Sequence, residues 1–180
     1  MTQKISKVPQ QLLQLQWKKK LQGNAGIWVS IREQRLRLIH NNAVQLEIPC
    51  STSTKGAGQQ ENSGQTPIGW HEIAEKIGEN LPLGSVFESR IPTGEIWNIG
   101  KPSEKDLILT RILWLRGLKE GFNKGGKQDS YQRYIYIHGS NCEEKLGSPS
   151  SAGCIRIGNK EIVSLFEMVY KNQRVLITED

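Results

Sequence analysis

The sequence predicts a mainly β domain, a sandwich or barrel carrying one helix that follows a cysteine-bearing loop. Three observations point to it. Short apolar stretches rich in β-branched and aromatic residues recur from Ile27 onward. Polar, glycine-bearing loops separate them. Only one stretch, after Asn159, repeats its apolar residues at helical steps.

Residues 1–24 form a polar lead-in in which Leu12, Leu13, Leu15 and Trp17 are the sizeable apolar group, suited to a short helix. Residues 25–180 form the domain. Ile27 to Ile31 and Leu36 to Ile39 flank Arg32-Glu33-Gln34-Arg35 as a hairpin, and Val44 to Ile48 alternates with the period of a half-buried strand. A polar loop, Ser51 to Gly64, leads into a turn at Thr66-Pro67-Ile68-Gly69. Leu107 to Leu115 and Tyr134 to Ile137 are strands, with a charged, glycine-bearing loop from Gly117 to Ser130 between them. Asn159 is placed to cap a helix carrying Ile162, Val163, Phe166 and Val169 on one face, and Arg174 to Ile177 closes the chain as a strand.

Composition bounds the rest. The 180 residues suffice for one domain of ordinary size, which buries roughly 70% of its unfolded surface and needs no disulfide or metal to fold. A hydrophobic fraction of 36% excludes a wholly disordered chain. Every apolar run is shorter than the roughly 20 residues of a membrane span. The net charge of +6 is spread along the chain, and its densest group, Lys18-Lys19-Lys20, reads as a solvated segment; no nucleic-acid partner is expected. The cysteines, Cys50, Cys142 and Cys154, are odd in number, which suits a thiol kept for chemistry or a reducing compartment. No apolar core of an export signal follows Lys4 and Lys7.

Chemistry concentrates in residues 137–159. His138 follows a hydrophobic strand and precedes Gly139, so its imidazole stands on rigid backbone where the chain turns. Cys154 follows Gly153, whose lack of a side chain lets main chain approach a bound carbonyl. A paired cysteine and histidine is what nucleophilic acyl transfer needs: a thiolate to attack, an imidazole to move its proton, and backbone N–H groups to receive an oxyanion. Taken singly, a cysteine is also an inert small hydrophobe and a histidine at a strand end a structural hydrogen-bonding group.

The stretches His138-Gly139-Ser140 and Ser151-Ala152-Gly153-Cys154-Ile155-Arg156-Ile157-Gly158-Asn159, with 16 positions from His138 to Cys154, resemble the catalytic signature of the L,D-transpeptidase (YkuD-type) family. Thr66-Pro67-Ile68-Gly69 and Leu109-Thr110-Arg111-Ile112 extend the resemblance over roughly residues 27–178. One position departs from it: Ala152 stands where the family most often has histidine.

The resemblance implies a cysteine acyltransferase of peptidoglycan biosynthesis, cell-wall biogenesis and cell shape. Cys154 would attack the carbonyl of the third residue of a stem tetrapeptide, D-alanine would leave, and a thioester would remain. His138 would shuttle the proton while a backbone carbonyl near Gly139 or Ser140 oriented its other nitrogen. Backbone N–H groups around Gly153 and Cys154 would form the oxyanion hole. An acceptor amine would complete a 3→3 cross-link; water or a D-amino acid would give the related hydrolase or exchange reactions, and a decayed site a peptidoglycan-binding module.

Arg156 would hold a substrate carboxylate or make a salt bridge within the fold; Ser151 would bond to the site or shape the turn; Asn159 would cap the helix or touch substrate. Cys142 is either a free loop cysteine or a redox or metal partner of Cys154 and His138. His40 and His71 are read as structural or exposed, and Trp70, Trp97 and Trp114 as core or as a platform for glycan. The implied partners are muropeptides and covalent carbapenems. No metal or organic cofactor is implied, and the expected location is the periplasm or cell wall.

Overall fold

In the computed structural model, residues 25–41, 43–101 and 105–180 are described; the Leu12 to Trp17 helix and the Lys18-Lys19-Lys20 group lie outside them. Alternation along a strand sends successive side chains to opposite faces. In β1 (Gly26–Ser30) it puts Ile27 and Val29 into the main core and Trp28 into a smaller cluster with Ile39 and Leu176. Strand β2 (Arg35–His40) returns antiparallel through a turn at 31–34, where Gln34 takes φ 51°, and β3 (Ala43–Pro49) pairs with β2.

The remaining elements are β4 (Gly69–Ile77), β5 (Ser85–Glu88), β6 (Ile91–Ile96), β7 (Ile108–Gly117), β8 (Tyr136–Ser140), β9 (Ile155–Ile157), α1 (Asn159–Met168) and β10 (Arg174–Thr178). The ten strands make one sheet in the order β3-β2-β1-β10-β4-β7-β5-β6, and β8 leaves it from β7 to pair with β9. Of the pairings, β1 with β10 and β8 with β9 are parallel and the others antiparallel. The chain beyond β3 returns to the far edge: Ser51 bridges Arg156 and Ser53 bridges Ser151, which closes the sheet around the core. Closure removes an exposed edge, as in a barrel. The core is filled by β1, β2, β4, β7 to β10 and the apolar face of α1, where Ile162, Leu165 and Phe166 are buried.

Among the described residues the mainly β expectation and its one α-helix hold. Two details differ. Tyr134 and Ile135 precede β8, because Tyr134 takes φ 57°, a backbone conformation outside a strand; β8 instead runs on through His138, which lies mid-strand. Asn159 is the first helical residue and Gly158 occupies the cap without a side-chain bond. The carboxylate at this helix start comes from afar: Glu143 Oε1 accepts from Asn159 N at 2.7 Å. At the other end, Lys76 Nζ donates to the carbonyls of Phe166 and Val169, both at 2.7 Å, which meets the negative end of the helix dipole with a cation.

His71 is structural. It is fully buried on β4, its Nδ1–H donates to Gly69 O and its Nε2 accepts from Ser130 Oγ, each at 2.9 Å. Burial lowers its pKa to about 4, with Gly69 O opposing and Arg133 adding to the fall. The unfolded chain therefore binds a proton near pH 6.5 that the folded one refuses until about pH 4, so stability present above pH 6.5 is lost as the pH falls through that window. The urea midpoint is expected to drop between pH 7 and pH 5. A His71→Asn variant should be less stable at pH 7 by about 1–3 kcal/mol and lose less on acidification.

Candidate active site

The parallel pairing of β8 with β9 sets His138 opposite Arg156, two residues beyond Cys154. Ile137, Ile155 and Ile157 point into the main core, whereas Tyr136 and Cys154 belong to a separate cluster with Phe87, Ile112 and Trp114. Alternation therefore puts Tyr136, His138, Cys154 and Arg156 on the sheet face turned away from the main core.

His138 is 2% exposed, and its Nδ1 lies 2.7 Å from Gly139 O. A carbonyl only accepts, so the ring proton sits on Nδ1 and Nε2 carries the lone pair. Gly139 has no room for a side chain: a Cβ would lie 2.4 Å from Asn159 Oδ1 and 2.8 Å from Leu109 O. Asn159 is wedged there because its Nδ2 donates to Ser140 O (2.7 Å) and Glu143 Oε1 (2.6 Å), while its Oδ1 accepts from Thr110 Oγ1 (2.6 Å). Thr110 reaches it from a bulge in β7, at φ 72°, between the Leu109–Gly139 and Ile112–His138 pairs. A β-branched residue rarely adopts that conformation, and the strain lies directly behind the histidine strand.

The loop before β9 is held from outside. Thr66 Oγ1 donates to Gly153 O at 2.9 Å, Thr54 N to Ser151 O at 3.1 Å, and Ser151 N to Thr52 O at 2.9 Å. Ser151 folds the turn itself, accepting from Gly153 N at 3.2 Å and donating to Cys154 O at 2.6 Å. Gly153 takes φ 134°, where a Cβ would also meet Gln65 O at 3.3 Å. The loop hydrogen bonds use the Gly153 N–H and leave that of Cys154 unused. Ser140 is buried, with Oγ accepting from Cys142 N at 3.1 Å.

Cys154 is half-buried, and its Sγ donates to Tyr134 O at 3.4 Å rather than to the imidazole. Burial pushes the thiol up to about 11; the Tyr136 backbone amide, Arg156 and Arg133 oppose that, and Asp106 adds to it. Burial also lowers His138 to about 4, with Gly139 O and Asp106 acting against and Arg156 acting with it. The resting pair is thus a neutral thiol and a neutral imidazole. Asp106 and Arg156, which act on both groups, form an ion pair with each other; Arg156 is buried and also donates to Ser150 Oγ at 3.3 Å. Arg133 spends its donors on the carbonyls of Gly58, Gln59 and Gln65 and on Ser63 Oγ. Beside it a cavity of about 330 Å³, lined by Glu61, Asn62, Gln132, Tyr134 and Ala152 among others, opens onto the cysteine loop.

The sequence-expected residues His138, Gly139, Ser140, Ser151, Gly153, Cys154 and Arg156 thus come together on β8, β9 and the loop before β9. Arg156 is in the internal ion pair, Ser151 in the turn, and Asn159 in a clamp of three strand and loop segments. Cys142 lies apart, on the rim of a second cavity of about 540 Å³ with Ile99 and Glu144. The described cysteines are unpaired, and no metal-holding group of three or more His, Cys, Asp or Glu side chains occurs among the described residues. Thr66, Asp106, Arg133 and Tyr134 went unassigned from the sequence. Thr66 opens the Thr-Pro-x-Gly turn and Tyr134 the Tyr134 to Ile137 strand pattern, which carried signals of structure; Asp106 and Arg133 lie in segments with no local pattern.

The family model of YkuD, the L,D-transpeptidase catalytic domain, matches residues 24–177. YqjB of Bacillus subtilis (strain 168), whose name assigns it provisionally to the L,D-transpeptidases, is 52% identical over 48 residues, 27% of each chain. Among solved structures, a cysteine-to-serine mutant of the Enterococcus faecium L,D-transpeptidase superposes with TM-score 0.53 at 16% identity, over 86% of this chain and 50% of that one. The L,D-transpeptidase LdtMt1 in complex with imipenem gives 0.51 at 18%, over 84% and 57%. A Xylanimonas cellulosilytica DSM 15894 L,D-transpeptidase gives 0.52 at 16%, over 92% and 69%. These likenesses concern the fold. The chain spans about a quarter of YqjB and half to two thirds of these solved chains.

A neutral thiol on the loop next to the His138 strand has a kinetic signature. Alkylation of Cys154 by iodoacetamide, followed by mass mapping, is expected to accelerate through pH 9 and 10, with its inflection near 11. A rate already flat from pH 6 would indicate a preformed thiolate–imidazolium pair instead.

Proposed function

This chain belongs to the YkuD family of L,D-transpeptidase catalytic domains, and from that membership we propose that it is a cysteine L,D-transpeptidase that forms 3→3 peptidoglycan cross-links. The observation that carries the residue assignment is the pairing of β8 with β9, which brings the His138 strand alongside the Cys154 loop. The bond from His138 Nδ1 to Gly139 O supports it further, since it turns the unprotonated Nε2 into the available base.

In this reading Sγ leaves its Tyr134 O contact as the stem tetrapeptide binds, transfers its proton to Nε2, and attacks the carbonyl of the third residue. The Cys154 N–H receives the oxyanion. The C–N bond to D-alanine then breaks, its amine takes the proton from the imidazolium, and a thioester at Cys154 remains. The amine of a second stem gives up a proton to Nε2 and replaces sulfur, which regenerates the thiol. Arg156 and Ser151 act by holding the loop and β9 in place. Residues 25–180 would be the catalytic domain and 1–24 its polar lead-in. The work would lie outside the cytoplasmic membrane, in the periplasm or cell wall; no helix among the described residues is long and apolar enough to cross a membrane.

Imipenem, found with LdtMt1 in its solved complex, is the natural covalent probe. Intact mass should rise by one carbapenem, and Cys154→Ser should abolish the adduct. With disaccharide tetrapeptide, the wild type should yield a cross-linked dimer. Cys154→Ser should lose at least about 10³-fold in rate, and His138→Ala about 10²- to 10⁴-fold. Trimmed tripeptide alone would make the enzyme a carboxypeptidase. Unchanged substrate without an adduct would favour a peptidoglycan-binding module, the reading that the sulfur's turn toward Tyr134 O favours.

A further inference from the structure

Three arginines border the cysteine cluster, and two are engaged within the fold: Arg156 by Asp106 and Ser150, Arg133 by the 58–65 loop. The third, Arg90, comes from the tip of the β5–β6 hairpin. It is half-buried and makes no ion pair among the described residues. Its guanidinium carbon lies 4.6 Å from the ring centre of Trp114 and 4.5 Å from that of Tyr134, and Nη1 donates to Tyr136 Oη at 3.1 Å. Of five N–H donors, this contact uses one.

The platform beneath it is rigid. Trp114 stacks on Tyr131 at 3.9 Å and 4° and meets Tyr136 edge-on at 5.7 Å; Tyr131 Oη in turn donates to Glu75 Oε1 at 2.5 Å. The hairpin itself is unusual. Ser89 and Arg90 take φ 45° and 72°, and two successive positive φ values are the province of Asn-Gly or Gly-Gly turns. A serine and an arginine there hold an unfavourable backbone, which fits a position kept for its side chain.

Arg90 also borders the reacting group. Tyr134 offers it a ring face and offers Sγ a carbonyl, and Tyr136 offers it a hydroxyl while lying in the same cluster as Cys154. Burial raises the pKa of the Tyr136 phenol, which also feels both groups, Arg90 pulling it down and Cys154 adding to the rise. Held by Tyr136 and Tyr134, the guanidinium keeps further N–H donors for a planar anion with two oxygens. Resting on the acyl-transfer reading of Cys154, we propose that Arg90 is the receptor for a carboxylate of the acyl-donor peptide, the group that orients the scissile carbonyl at the sulfur. A stem tetrapeptide whose third residue is diaminopimelate carries three such groups, at its terminal residue, on the diaminopimelate side chain and on its γ-linked glutamate.

The test is the affinity of disaccharide tetrapeptide for Cys154→Ala protein, with and without Arg90→Ala, using the free acid and peptides amidated at each carboxylate in turn. Arg90→Ala is expected to weaken binding of the free acid by about 10- to 100-fold. The loss should vanish for the amide that removes the carboxylate Arg90 holds, which identifies it. Arg90→Lys, retaining charge without the planar fork, should recover part of the affinity. Equal weakening for the acid and every amide would make Arg90 a packing residue, and no weakening would remove it from recognition; either overturns the proposal. Wild-type protein that binds with this Arg90 dependence yet forms no acyl-enzyme would sink the transpeptidase reading and leave the receptor assignment standing.

Discussion

An imidazole can serve as a base only if the proton it already carries is held elsewhere, and the His138 Nδ1 bond to Gly139 O does that holding. Much of the local architecture exists to make this short bond possible. Gly139 must be bare because Asn159 and Leu109 press against it. Asn159 is pressed there because it fastens β8, the Glu143 turn and the β7 bulge at one point. The bulge requires Thr110 in a left-handed conformation, with its hydroxyl also accepting from Gly84 N at 3.0 Å. A carboxylate in place of the carbonyl would orient the ring as well, but it would add a buried charge where the surroundings already disfavour ionisation.

The charges around the cleft fall into distinct roles although they share one residue type. Arg156 neutralises Asp106 and, through its own strand, props β9 against the returning Ser51. Arg133 acts as a hydrogen-bonding post for the 58–65 loop, and its desolvation lowers its pKa. Arg90 rests on ring faces with donors to spare. Position alone separates these fates, since the three side chains are chemically identical.

The sequence groups the candidate site residues in one compact stretch and shows the mainly β class, while much of the strand arrangement is hidden in it. His138, Gly139, Ser151, Gly153 and Cys154 stand in a compact pattern whose chemistry is local. The strand character of Ile27–Ile31, Leu36–Ile39 and Val44–Ile48 followed from alternation. Strand β4 hid because Gly69–Ile77 mixes Glu72, Glu75 and Lys76 with apolar residues and pairs on both sides by tertiary context. The hairpin of β5 and β6 hid because β6 is exposed throughout and its turn lacks the usual Asn-Gly signal. The clamp at Asn159 joins residues 49 positions apart at Thr110, so its local reading as a helix cap had nothing to contradict it. Contacts of that kind are written in three dimensions only.

The strap from Ser51 to Thr54 has a consequence for how the molecule assembles. It meets Ser151 and Arg156 across about a hundred positions of chain, so the Cys154 loop is completed only when nearly the entire polypeptide has been threaded into place. A half-finished chain therefore presents an ordinary cysteine on a slack tether. The shape of the Cys154 loop is settled late in folding, and damage to the strap would loosen that loop while leaving the bulk of the architecture intact.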